Sequence, residues 1–301
     1  MIYCFGHGFP YTDIDSLTSS ILLEHYYKKS GYEAEAVYVN QSSLRESTIE
    51  IFKLSGLDMP RLITPEELLR EDVEFAMVDH NDVMESFGQY QIDKEVLICV
   101  DHHTIQGNLK AKEIRFRKVG ATATLIAEMC FDKNIALNDM LARAAVLGII
   151  SDTMGLKNVK ASDADRKMVD TLYEKYDIGI SFEELSEKTV SQVLIKNMTI
   201  ERILTNSLRE YAGGKVGIAQ LFALNDDYKH KIDEIKKAAW DTKYDLYIFA
   251  FHIQKENKSV VYYFDKKYNI FPAYEEYHRM ISRSKDLLPH VLTQLKLRST
   301  Y

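Results

Sequence analysis

Four short stretches carry the residues best suited to chemistry: 13-DID-15, 79-DHN-81, 101-DHH-103 and 151-SDT-153. Each centres on aspartate, and the middle two pair aspartate with histidine. Carboxylate and imidazole donors together suit divalent cations of the manganese, cobalt or magnesium type. Asp13, Asp15, Asp79 and Asp152 bring four negative charges, which two divalent cations balance. Without metal, that many carboxylates in one cleft repel one another and hold protons. Any one of these stretches has an ordinary explanation, because aspartate is a common turn residue and helix cap. Four together call for a shared one.

The elements around them show how they could meet. Residues 2-IYCF-5, 35-EAVYV-39, 74-EFAMVD-79 and 95-EVLICVD-101 are strand-length apolar runs. Between and after them, 16-SLTSSILLEHYYKKSG-31, 64-TPEELLRE-71, 121-ATATLIAEMCFDKN-134 and 139-DMLARAAVLGIISD-152 have helical patterns, the first opened by Ser16 and closed by Gly31. Strands alternating with helices predict an α/β fold with a mainly parallel sheet. Ligands of such sheets bind at the carboxyl ends of the strands. Acidic clusters follow three of these strands, so convergence at one edge is expected.

The pattern changes near residue 180. Residues 181-SFEELSEKTVSQ-192 read as a linker or a bridging helix. Beyond them, 215-KVGIAQLFAL-224, 244-YDLYIFAFHI-253 and 259-SVVYYFD-265 are strand-like, interleaved with helical 229-KHKIDEIKKAAWDT-242 and 286-DLLPHVLTQL-295. The expected division is a metal-binding domain over 1–183, a linker over 184–195 and a smaller α/β domain over 196–301.

Composition narrows the function class. A net charge of −7 argues against a protein that coats nucleic acid. The three cysteines, Cys4, Cys99 and Cys130, form no CxxC pair, and buried free thiols are the ordinary reading. The chain opens with no signal pattern, and no apolar run approaches the ~18 residues of a membrane span. A reduced, cytoplasmic setting without membrane contact is expected.

In this order, DxDS, DHN, DHH and SDT resemble the DHH phosphoesterase superfamily. The nearest branch has a DHHA2-type second domain: the family II, manganese-dependent inorganic pyrophosphatases and related exopolyphosphatases. Residues 119-VGATATLIAEM-129, 146-VLGIISDTMGLKN-158 and 282-SRSKDLLP-289 are similar to pyrophosphatase segments. The resemblance implies a DHH domain, a DHHA2-like domain and an active site in the cleft between them. It implies two divalent cations, with Mn²⁺ favoured over Mg²⁺ or Co²⁺. His7, Asp13 and Asp79 resemble the ligands of one ion, and Asp15, Asp79, His102 and Asp152 those of the other, with Asp79 bridging. His80 and Asp101 would orient ligands. His103 resembles a substrate-facing histidine, and Arg283 the arginine that clamps the distal phosphate. The implied reaction is attack on a phosphoanhydride by a hydroxide shared between the metals. A small phosphorylated substrate and a homodimer are also implied.

The chain departs from the pyrophosphatase pattern in two places. His7 precedes Asp13 by six residues where the pattern has four, with Tyr11 and Thr12 inserted after Pro10. Either the loop bulges and still delivers His7, or His7 lies off the metal, as in the exopolyphosphatase-like branch. The second departure is in phosphate recognition. The pattern has two lysines after the arginine, and here they are Ser284 and Lys285. An earlier lysine has no counterpart near 205-TNSLR-209, where Arg209, or Lys196, could substitute; the ordinary reading of Arg209, Lys196 and Lys285 is a solvated surface charge. The alternatives are therefore an exopolyphosphatase, a nucleotide phosphoesterase, or a non-catalytic phosphate or nucleotide sensor.

Overall fold

The computed structural model describes residues 1–8, 12–40, 44–87, 90, 92, 94–105, 109–157, 160–191, 195, 198–223, 226–253 and 256–298. The chain divides into two compact units, Met1–Gln192 and Val193–Tyr301.

The first unit is built on six strands: β1 (Ile2–Phe5), β2 (Ala34–Tyr38), β3 (Arg61–Leu62), β4 (Glu74–Val78), β5 (Val96–Asp101) and β6 (Ala111–Phe116). They lie in the order β3-β2-β1-β4-β5-β6, and every neighbouring pair is parallel. Apolar runs form buried parallel strands because both faces of the sheet are covered. Alternate residues of β1 show this: Ile2 and Cys4 join one core, Tyr3 and Phe5 the other. The order reverses between β1 and β4. Such a reversal splays the two connections to opposite faces and opens a crevice at the strands' carboxyl ends. The stretches that carry Asp13 and Asp79 leave the sheet there.

Helices α1 (Ile14–Lys29), α2 (Glu46–Leu54), α3 (Pro65–Leu68), α4 (Thr122–Asp132), α5 (Asp139–Thr153), α6 (Asp163–Lys175) and α7 (Phe182–Ser191) complete the unit. Helix α1 starts two residues before the expected cap. Asp13, not Ser16, is its cap, because the Asp13 carboxylate reaches the Ser16 amide at 2.9 Å. Of the two readings of residues 181–192, linker or helix, the structure has a helix, α7, whose Leu185 is buried in the first unit's core. An amphipathic turn with an apolar face to bury is helix, not tether. The three cysteines are buried and free.

The second unit carries α8 (Ile200–Thr205), β7 (Arg209–Tyr211), β8 (Val216–Ala223), α9 (Ile232–Trp240), β9 (Leu246–Ile253), β10 (Lys258–Asp265), β11 (Tyr274–Tyr277) and α10 (Leu288–Arg298). Its sheet runs β11-β10-β9-β8-β7, with β8 and β9 parallel and the other pairs antiparallel. Strand β9 is buried on both faces: Leu246, Ile248 and Ala250 enter one core and Tyr247, Phe249 and Phe251 the other. Among the described residues, no helix is long and apolar enough to cross a membrane.

Candidate metal centre

The four aspartate stretches meet at the carboxyl edge of the first sheet. Asp13 and Asp15 follow β1, Asp79 follows β4, and Asp101, His102 and His103 close β5. Asp152 lies in the last turn of α5. Three overlapping groups of side chains offer donor atoms within 4.8 Å of one another: His7, Asp13 and Asp79; Asp15, His102 and Asp152; and Asp79, Asp101, His102 and His103.

Asp79 stands at the centre. It is fully buried, and its φ of 64° puts a non-glycine residue in the left-handed region. Such a conformation persists only where the surroundings over-determine it, and it concentrates at functional sites. Two hydroxyls hold it: Ser16 Oγ donates to Oδ2 at 2.7 Å and Thr122 Oγ1 to Oδ1 at 3.1 Å. Its two oxygens face different groups. Oδ2 lies 3.6 Å from His7 Nε2, and Oδ1 lies 3.2 Å from His102 Nε2.

His7 reaches this place despite its longer spacing. Its Nε2 lies 3.1 Å from Asp13 Oδ2, while Asp13 Oδ1 caps α1. The extra residues of the loop therefore do not carry His7 away from Asp13 and Asp79. Of the inserted pair, Thr12 is described and Tyr11, with Phe9 and Pro10 before it, lies outside the described residues.

Asp15 is held by the backbone of a distant helix. The Thr122 and Ala123 amides donate to it at 2.6 and 3.0 Å, and Ser19 Oγ at 3.2 Å. The carboxylate thereby sits on the N-terminus of α4, which lacks a side-chain cap of its own. Close helix packing keeps it there. A Cβ on Gly148 of α5 would come within 2.4 Å of Thr18 Oγ1 and 2.9 Å of Asp15 Oδ1.

The histidines are fixed by their second nitrogens. His102 Nδ1 donates to the Val119 carbonyl at 3.0 Å, which turns Nε2 towards Asp79 and Asp152 at 3.2 and 3.5 Å. Those approaches lack hydrogen-bond geometry, and Nε2 is a buried atom with no hydrogen-bond partner. His103 Nδ1 and its backbone amide both engage Asp101 Oδ1, at 2.9 and 3.0 Å, and Asn81 Nδ2 donates to Asp101 Oδ2 at 2.5 Å. Asp101 thus orients His103. His80 Nδ1 bonds the Val78 carbonyl at 2.8 Å, and its ring packs edge-on against His7.

Protonation follows from this crowding. Burial, then the charges of Asp79 and Asp152, push the Asp15 carboxyl well up. Burial and the Asp13 charge push Asp152 up to about 6. Burial also works against charge on His102, yet Asp79, Asp152 and Asp15 outweigh it and raise His102 to about 10. For Asp13, burial is outweighed by His7, which holds the carboxyl below the usual range. Burial takes His80 down to about 4. Left to itself, the cluster holds protons to relieve its own repulsion. Divalent cations relieve it better. The orphaned Nε2 of His102 and the mixed carboxylate–imidazole donor set fit such ions.

Several supporting residues were not apparent from sequence. Thr122 touches both Asp15 and Asp79, and only the tertiary fold brings it there. Lys160 lies near the carboxylates, its ammonium favoured chiefly by the charge of Asp152. A lysine eight residues after Asp152 is a weak signal by itself.

In the second unit, Arg283 Nη1 donates to the Ser207 carbonyl, joining the 205–209 and 282–289 stretches. Arg209 is exposed on β7. The side chains of Ser284 and Lys285, and all of Lys196, lie outside the described residues.

Residues 1–149 match the DHH family, N-terminal domain. The chain carries a DHH domain. Relatives resemble it beyond that domain. A probable manganese-dependent inorganic pyrophosphatase of Lactobacillus acidophilus is 25% identical over 311 residues, 98% of this chain and 95% of the relative. The manganese-dependent inorganic pyrophosphatase of Bacillus subtilis is 27% identical over 270 residues, 86% of this chain and 84% of its own. Two crystal structures share the fold. One, described as a putative family II inorganic pyrophosphatase of Methanococcus jannaschii, has a TM-score of 0.70 at 24% identity, covering 96% of this chain and 97% of its own. The other, an exopolyphosphatase-related protein of Bacteroides fragilis, has a TM-score of 0.53 at 12% identity, covering 100% and 93%. The DHH domain contains all of the acid cluster except Asp152, three residues past its matched end.

Proposed function

We propose that this chain is a phosphohydrolase dependent on two divalent cations, Mn²⁺ favoured, that cleaves a phosphoanhydride, with inorganic pyrophosphate as first substrate. One observation carries the reading: the two oxygens of buried Asp79 face separate ligand groups, towards His7 on one side and His102 on the other. One ion would be held by His7, Asp13 and Asp79, the other by Asp15, Asp79, His102 and Asp152. Bound there, such ions polarise phosphoryl oxygens and make water a nucleophile at neutral pH. The manganese dependence named for the L. acidophilus and B. subtilis relatives supports the choice of metal.

The protein's own groups have separate tasks. The Val119 carbonyl fixes the His102 tautomer, so that Nε2 is the donor atom. Asp101 takes Nδ1 of His103, which leaves Nε2 as the atom that meets a phosphoryl oxygen and holds or releases its proton. Arg283 is the candidate for the distal phosphate, through planar, bidentate contacts.

A second reading, with a longer polyphosphate or a nucleotide as substrate, is favoured by Ser284, which stands where the pyrophosphatase pattern has a lysine. A substrate with less dense distal charge needs fewer cationic partners. The position of His7 beside Asp13 favours pyrophosphate. Phosphate release with Mn²⁺ or Mg²⁺ from pyrophosphate, tripolyphosphate, long polyphosphate and a nucleotide panel decides between them. Wild type is expected to release phosphate fastest from pyrophosphate, and Asp152→Asn far more slowly. Release from none of them would overturn the enzyme reading and leave the sensor.

A further inference from the structure

Asp165 belongs to none of the ligand groups. It is fully buried in the first turn of α6, thirteen residues after Asp152. With Ser162 it forms a capping box, taking the Ser162 amide at 2.7 Å and hydroxyl at 2.6 Å on Oδ2. Capping explains those contacts. It does not explain the other two. Oδ2 also accepts from the Gly120 amide at 2.7 Å, and Oδ1 from Thr124 Oγ1 at 2.6 Å.

These two contacts bracket the segment that orients the candidate metal centre. At its start, the Val119 carbonyl, in the same peptide as the Gly120 amide, sets His102. The Thr122 and Ala123 amides hold Asp15, and Thr122 Oγ1 holds Asp79. The segment has little room to move. A Cβ on Gly120 would lie 2.4 Å from Thr153 Cγ2 and 2.6 Å from Asp165 Oδ2.

We propose that Asp165 is a positioning residue: from behind, it clamps Gly120 and Thr124 and so sets the donors that hold the ion of Asp15, His102 and Asp152. The inference rests on the two-cation reading above. It separates the two ions. Asp165 governs the one whose donors hang on the 119–124 segment. The ion of His7 and Asp13 depends on the loop after β1.

Calorimetric titration with Mn²⁺ tests this on the wild-type chain, Asp165→Asn, Thr124→Val and Thr124→Ser. Asp165→Asn removes the charge that gathers four donors, and its amide nitrogen must take the place of one acceptor oxygen, on the Thr124 side or on the side of the Gly120 and Ser162 donors. One of the two binding steps is expected to weaken by about tenfold or more, the range of lost supporting partners, while the other changes little. Thr124→Val, of similar shape but without the hydroxyl, weakens the same step, and Thr124→Ser restores it. Unchanged steps in Asp165→Asn, with only a lower unfolding temperature, would reduce Asp165 to a helix cap and overturn the proposal. If Asp165→Asn does not fold, the Thr124 pair decides: equal affinities in the Val and Ser variants overturn it. No Mn²⁺ uptake by wild type would instead overturn the two-cation reading, and this inference with it.

Discussion

Two buried histidines, His102 in the first unit and His252 in the second, are driven in opposite directions, while His80 of the first unit goes down with His252. Burial penalises charge on all three. In the first unit, Asp79, Asp152 and Asp15 overcome that penalty, and His102 rises to about 10. In the second, burial is joined by the charge of Arg283, and His252 falls to about 4. The same side chain thus reports two different fields. The first unit gathers more anionic charge than its own groups neutralise, which is the character of a cation site. In the second, a buried histidine is kept neutral, first by burial and then by the charge of Arg283. The contrast lies in the neighbours, since both rings are almost wholly buried.

The most damaging way to break this contrast is Asp79→Ala. It removes the carboxylate common to both ligand groups and leaves Ser16 and Thr122 hydroxyls without their acceptor. Phosphate release is expected to fall by well over the roughly 100-fold that marks loss of a supporting partner, and bound Mn²⁺, measured by metal analysis, to fall with it. The second unit's fold, followed by hydrogen exchange in β9, should be unchanged.

A smaller effect comes from pH. The unfolded chain protonates His252 near pH 6.5, whereas the folded unit resists until about pH 4. Stability from this residue is full above pH 6.5 and is lost as pH falls towards 4. The span corresponds to about 3 kcal/mol. His252 Nδ1 lies 2.9 Å from Ser259 Oγ, whose hydroxyl donates to the Arg279 carbonyl, so the ring supplies the proton. In His252→Asn the amide can keep that donor without titrating. Its denaturation midpoints should vary less between pH 6.5 and 4 than those of wild type; parallel curves would refute the assignment.

The smallest change sharpens the picture within the first unit. Gly148→Ala drives a methyl against Thr18 and Asp15. Overpacking of this kind costs about 1–3 kcal/mol. Urea midpoints should fall, and Mn²⁺ affinity with them, because the methyl meets a donor carboxylate. A drop in stability with unchanged Mn²⁺ affinity would show that Asp15 has slack.

What the sequence disclosed and what it hid divide along the same physical line. Strands β1, β4 and β5 were legible because parallel strands covered on both faces are unbroken apolar runs. Their aspartates stood out at the ends. Strand β6, 111-AKEIRF-116, was missed because it is a sheet edge, largely exposed and charged. Strands β3, β7 and β11 are too short or too polar to register. The metal-type donors could be named, since aspartate and histidine have few reasons to cluster. Their supports could not. Thr122 lies 107 residues from Asp15, and Asp165 lies 45 residues from Gly120. Only the packing of α1, α4, α5 and α6 makes them neighbours. Ser16 reads as the cap for a local reason: two polar residues, Asp13 and Ser16, stand at one helix start, and it is the Asp13 carboxylate that reaches the Ser16 amide.

The central claim is that two cations share Asp79. Crystals grown with Mn²⁺ and measured at the manganese edge test it most directly. The account predicts two anomalous peaks per chain, ~3.5–4 Å apart, one beside His7 and Asp13 and the other beside Asp15, His102 and Asp152, with Asp79 between them. A single peak, or peaks away from Asp79, would contradict it.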